Sequence, residues 1–141
     1  MGAVMSLSAD QLPATRAVEG YVAEVARAVG VGPEACTFDY DSPVSAYIAV
    51  DYRLPMFPSR DFALMWDEET GWAGVVESAC GMDLINVGYL GGTIAPPARR
   101  VAQFVAQLRG AEHLGPTDPP TLRLASGLED LHRELDSRCA A

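Results

Sequence analysis

The densest run of ionisable residues is Asp67-Glu68-Glu69, set between Trp66 and Trp72. Adjacent carboxylates can share a proton, bind a hard cation through oxygen, or act as acid and base when one is desolvated. Consecutive acids at a hairpin tip ordinarily face water, so a solvated turn is the expectation here, and the two tryptophans are expected to pack as a cross-strand pair rather than as a ligand-stacking platform. A small enzyme would instead need one carboxyl of raised pKa in an apolar pocket, and Asp39, Asp67 and Glu77 can supply it only if their strand faces point inward.

The remaining chemistry-bearing residues fit no signature. His113 and His132 are the only histidines, and neither makes an H-x-x-x-H or H-E-x-x-H motif. Cys36, Cys80 and Cys139 are odd in number and form no C-x-x-C pair, which predicts reduced thiols, with Cys36 and Cys80 as small hydrophobes beside strands and Cys139 exposed. Gly88, Gly91 and Gly92 lack the Gly-Lys-Ser/Thr that completes a phosphate loop, and no G-x-S-x-G elbow marks a nucleophile. No metal site, no cofactor and no particular catalytic residue is therefore expected.

Leu54-Pro55-Met56-Phe57-Pro58 is almost wholly apolar for a loop. Either it folds over the core or it leaves Met56 and Phe57 as an adaptable hydrophobic contact beside Arg60. The candidate interaction set is accordingly Met56, Phe57, Arg60, Trp66 and Trp72, flanked by the acidic cluster Asp67, Glu68 and Glu69.

The elements that must position these residues follow from periodicity. Val18, Tyr21, Val22, Val25 and Val29 recur at helical spacing after an S-x-x-Q capping box at Ser8 and Gln11, predicting a helix over 9–29 that Gly30 ends. From Ala35 to Leu90 the period becomes that of strands, predicted near 35–40, 44–53, 61–67, 71–78 and 83–90. Short connections, with Gly71 supplying positive φ at one of them, favour an antiparallel meander. Pro96-Pro97 opens a second helix carrying Val101, Phe104, Val105 and Leu108 on one face and ending at Gly110. Ser126 and Glu129 form a second capping box before Leu128, Leu131 and Leu135, a narrow stripe for a loosely tethered helix that docks on the domain or on a partner. The fold class expected is α+β: an antiparallel five-stranded meander sheet packed with an N-terminal and a C-terminal helix as a two-layer sandwich, plus a short tail helix. A single domain over 1–112 precedes a linker and tail helix over 113–141.

Composition narrows the setting. All ten basic residues are Arg, a bias that GC-rich codon usage produces. Residues 34–90 contain ten acids against Arg53 and Arg60, so this segment holds −8 of the net −9. Such a field repels phosphate backbones and favours basic partners, so nucleic-acid binding is not expected. No apolar run approaches the ~20 residues that span a bilayer, and no secretory signal opens the chain, so no membrane association and a cytoplasmic location are expected.

The order Tyr52-Arg53-Leu54-Pro55, then Ser59-Arg60-Asp61-Phe62-Ala63-Leu64-Met65-Trp66-Asp67-Glu68-Glu69-Thr70-Gly71-Trp72-Ala73, then Val87-Gly88-Tyr89-Leu90-Gly91-Gly92 before an Arg-Arg helix resembles an uncharacterised family of small actinobacterial proteins, a domain of unknown function. The resemblance spans roughly 15–112. It implies a cytoplasmic actinobacterial protein and carries over no catalytic residue. The function expected is that of a small non-enzymatic binding or accessory protein holding a protein partner, as a monomer or a homodimer. The alternative is a small enzyme of isomerase or cyclase type, or a ligand-binding protein, of secondary metabolism.

Overall fold

Helix α1 (Leu12–Ala28) turns its stripe Ala14, Val18, Val22 and Val25 fully inward. The computed structural model describes residues 12–78, 80, 83–110, 118–125 and 127–139, so the capping box at Ser8 and Gln11, Ser126 and His113 lie outside the described residues. The end of α1 is closed by Gly30 at φ 97°, with Val31 N–H donating to the Ala26 carbonyl and Gly30 N–H to that of Arg27. This is the Schellman arrangement that a left-handed glycine makes available.

Five strands follow: β1 (Cys36–Asp39), β2 (Ser45–Ala49), β3 (Phe62–Asp67), β4 (Gly71–Glu77) and β5 (Leu84–Tyr89). They pair in chain order and antiparallel throughout, as the short connections require. β2 stops at Ala49, earlier than the alternation through residue 53 suggested, and the chain turns away into the proline-containing loop. At the β3–β4 hairpin Asp67 Oδ1 accepts the N–H groups of Glu69 and Thr70, both at 2.8 Å, and Gly71 takes φ 76°. A three-residue loop closed by a left-handed residue is a favoured hairpin geometry.

Helix α2 (Ala98–Gly110) and α1 lie on the same sheet face. Trp66, Trp72, Leu64, Phe62 and Val76 meet them there, each no more than 1% exposed. Gly74 is the point of closest approach: a Cβ at that position would stand 2.7 Å from Leu108 Cδ1 and 3.1 Å from Phe62 Cε1. The polar atoms of the aromatic side chains carried into this core are satisfied. Trp72 Nε1 donates to the Tyr21 hydroxyl (3.0 Å), Tyr21 donates to the Pro96 carbonyl (2.6 Å), and Trp66 Nε1 donates to the Ile94 carbonyl (2.8 Å). These bonds fasten the 94–96 turn, and with it the start of α2, to α1 and the sheet.

The C-terminal segment is bound more firmly than a loose tether. Helix α3 (Leu128–Cys139) packs chiefly against α1 and buries Leu128, Leu131 and Leu135 in the common core. Ahead of it, the strap 118–125 is stapled to the hairpin tip. Leu122 N–H donates to the Glu69 carbonyl (2.7 Å) and Ala125 N–H to Glu69 Oε2 (3.0 Å). Glu68, expected in a solvated turn, is 0% exposed. Its Oε1 accepts Arg123 Nη1 at 2.7 Å and its Oε2 accepts the Val44 N–H at 2.7 Å. Arg123 Nε reaches on to Glu134 of α3 at 3.2 Å. The expectation fails because the strap returns over the acids from more than fifty residues away, a contact that no local pattern encodes.

Removing one member of a buried ion pair strands the other charge in a poor solvent, at a cost of about 3–5 kcal/mol. Arg123→Ala and Glu68→Ala are each expected to lower unfolding free energy by about that much, and the double variant by clearly less than their sum. Equilibrium denaturation of the full chain measures both. Additive effects, or single losses within ~0.5 kcal/mol as at ordinary surface positions, would mean the pair does not hold the strap.

Candidate interaction surface

Residues directly opposite in an antiparallel sheet share a face, so the register defines what the second face of the sheet offers. Among the described residues, helices cover one face only. Across the other run two central rows: Thr37, Tyr47, Met65, Ala73 and Tyr89, then Ala49, Ala63, Val75 and Asn86. Acids stand at both ends of these rows. Asp39 and Asp67 flank Ser45 at one end, and Asp61 and Glu77, joined by the Glu77 N–H to the Asp61 carbonyl, stand at the other. The small residues Ala63, Ala73 and Val75 are at most 4% exposed although no helix among the described residues lies over them. Half-buried Tyr47, Met65 and Tyr89 stand in the row of Ala73, next to the row of Ala63 and Val75.

The tyrosines register the field of the acidic ends. Burial pushes the Tyr47 phenol above its ordinary value, and the charges of Glu77 and Asp61 push it further the same way. Burial likewise raises Tyr89, with Asp67 adding to it. Both hydroxyls thus remain neutral donors well into the alkaline range, between carboxylates that favour cationic neighbours. Arg53 offsets one end in part, pairing with Asp61 at 3.1 Å where both side chains are more than half exposed. The surface can offer an apolar centre with aromatic edges, phenolic hydrogen bonds and anionic ends.

The sequence-derived interaction residues separate on this fold. Met56 is 46% exposed, while Leu54 is buried and Phe57 packs against the core, so the loop folds over the core and leaves one methionine outside. Arg60 is half-buried in a cleft shared with Asp61, Glu77 and Ser78. Trp66 and Trp72 are directly paired across β3 and β4, with ring centroids 6.4 Å apart, and at 1% exposure they present no surface and leave the interaction set. In the acidic cluster Asp67 builds the turn, Glu68 binds Arg123 and Glu69 binds the strap. Asp39, Asp67 and Glu77 all lie on the open face rather than pointing inward, and the Asp67 carboxylate is engaged by Glu69, Thr70 N–H and the Thr70 hydroxyl. His132 pairs with Asp136 one turn along α3 at 3.4 Å.

Cys80 is exposed beside Ser78 in the β4–β5 turn and so is not the packed hydrophobe expected; burial and Glu34 raise the half-buried Cys36 thiol. The Cys139 side chain lies outside the described residues. Among the described residues no three His, Cys, Asp or Glu side chains converge as a metal-binding group would, and no helix is long and apolar enough to cross a membrane. Tyr47, Met65, Ala73, Val75 and Tyr89 did not stand out in the sequence. Their only signal was the minor phase of the alternation in β2 and β3, where Tyr47 and Met65 replace the polar residues that a solvated face would carry.

Fold and surface together define a class: a small α+β protein whose meander sheet is covered by helices on one side and left open, apolar and acid-edged on the other. Residues 21–107 match the model of a family of unknown function, DUF6292, and the chain belongs to that family. Comparison with curated proteins and with solved structures gives no match. The matched span includes the whole sheet and most of α2, while Arg123 and α3 lie beyond it.

A tyrosine whose pKa is raised by folding keeps its proton longer in the native state than in the unfolded chain. The stability this confers is complete below the ordinary value near 10 and is lost as pH rises through the folded value. Glu77→Gln is therefore expected to lower the Tyr47 titration midpoint towards 10 while leaving Tyr89, beside Asp67, where it was. Tyrosine ring resonances followed across alkaline pH read the two separately. Equal movement of both, or of neither, contradicts the shared-face electrostatics.

Proposed function

We propose that the protein is a non-enzymatic binding module that holds a basic protein partner on its open sheet face, with Met56 in the neighbouring loop extending the contact. The observation that carries this reading is the row of half-buried Tyr47, Met65 and Tyr89, over which no described helix lies, between two acidic ends. Aromatic residues and methionine are enriched at the centres of protein interfaces, and a charged rim steers a partner of opposite sign. A second copy of the chain would bring like-charged ends together, whereas a partner edged with Arg or Lys neutralises them, so charge favours the heterologous complex over a homodimer. The enzyme alternative has weaker support because the carboxylates it would use lie on the open face, and Asp67 is committed to its turn.

The test is capture of binding proteins from source-cell extract by the purified chain, with the Tyr47→Ser/Met65→Ser double variant run in parallel. Expected is one partner with an Arg- or Lys-edged surface, held at low salt, weakened as salt shortens the ~10 Å screening length, and lost at least tenfold in the variant. Met56→Ser alone is expected to weaken it only two- to threefold, as for a peripheral contact. Capture that the double variant leaves intact, an acidic partner, or a self-association that the variant abolishes would each overturn the reading.

A further inference from the structure

Eight of the ten arginines lie outside residues 34–90, and three of them, Arg16, Arg27 and Arg99, line a groove of about 750 Å³ on the helical side of the molecule. Its walls are α1, the turn leading into α2, and α3 at Leu135. All three guanidinium groups are on exposed residues, and among the described residues none of them forms an ion pair. Glu24 and Asp136 also border the groove, which leaves it net positive in a chain of net charge −9.

A second observation is independent of charge. Gly20 lies in the interior of α1 between Arg16 and Arg27 and lines the same groove. Glycine is a poor choice inside a helix, and it is ordinarily retained where a neighbour presses on the backbone. Here a Cβ would find nothing within 4 Å, so no described part of the protein requires the glycine. The bare backbone faces the groove.

Dimensions select the occupant. Arg16 and Arg27 are eleven residues apart on one helix face, about 16 Å at 1.5 Å per residue. A single small carboxylate or phosphate does not bridge that span, whereas an extended chain, at about 3.3 Å per residue, covers about 13 Å in four residues with both end side chains on one face, and the long arginine side chains take up the rest. We infer that this groove binds an acidic polypeptide segment, with carboxylates four residues apart on Arg16 and Arg27 and a small residue between them lying against Gly20. Arg99 faces the segment from the opposite wall. The site is separate from the open sheet face, so the molecule joins a basic partner on its sheet to an acidic one on its helices.

The probe is a fluorescein-labelled peptide with glutamates at both ends, four residues apart across an alanine-glycine centre, followed by fluorescence anisotropy with the full chain. Arg16→Ala and Arg27→Ala are each expected to weaken binding about two- to fivefold, the range of exposed ion pairs. Gly20→Ala is expected to weaken it about tenfold by obstructing close approach, while raising the thermal midpoint by about 2–4 °C. That opposed pair of effects separates binding from a structural role. The Tyr47→Ser/Met65→Ser variant is expected to bind the peptide unchanged, which keeps this result independent of the sheet-face reading. Equal binding of a lysine counterpart, binding untouched by Gly20→Ala, no binding at all, or a preference for anionic phospholipid vesicles over the peptide would overturn the inference.

Discussion

A single buried carboxylate joins parts of this protein that are far apart in the chain. Glu68 sits at the tip of the β3–β4 hairpin with no exposure, and its two oxygens take the Val44 N–H, just before β2, and the Arg123 guanidinium of the C-terminal strap. Arg123 then reaches Glu134 on α3. A carboxylate so placed has no access to water as a substitute partner, so removing Arg123 while the strap stays in place would leave a bare charge inside the molecule. The pair, with the strap's hydrogen bonds to Glu69, ties the strap to the hairpin tip ahead of α3, which lies across α1 with Leu128, Leu131 and Leu135 in the core.

The same arrangement determines what remains uncovered. With α1 and α2 on one sheet face and α3 on α1, no helix among the described residues covers the other face. That face is nevertheless not built as a solvated one. Its centre consists of alanines and valine beside two tyrosines and a methionine, and the charge is displaced to the ends of the rows. A sheet that merely faced water would carry polar residues through its middle as well. On the helical side Arg16, Arg27 and Arg99 gather about a groove at the edge of α1. The acid excess of the sheet layer follows from the sequence, since residues 34–90 hold −8 of the net −9 and the rest of the chain is close to balanced.

Much of the architecture is legible in the chain because it rests on local signals. The valine stripe and Gly30 mark α1 and its end, alternation marks the strands, Gly71 marks the hairpin, and Pro96-Pro97 precede α2. The candidate surface was legible only in part. The apolar loop stood out in the sequence, but whether Met56 or Phe57 stays outside depends on what Leu54 and Phe57 meet in the core. The tryptophans were expected as a cross-strand pair and form one, but the helices that cover their face, and so put them beyond a partner's reach, were not legible locally.

By itself the sequence determined the element types, their order, the antiparallel pairing and the charge of each segment, because periodicity, turn residues and composition act over a few residues at a time. Tertiary structure alone decided the rest. Whether Asp67-Glu68-Glu69 meets water depended on a strap more than fifty residues away. Which strand face stays open depended on where two helices pack, and whether arginines from α1 and the α2 turn meet in one groove depended on the hydrogen bonds of Tyr21 and Trp72 that set that turn against α1. Burial is a property of pairs of distant segments, and no single segment carries it.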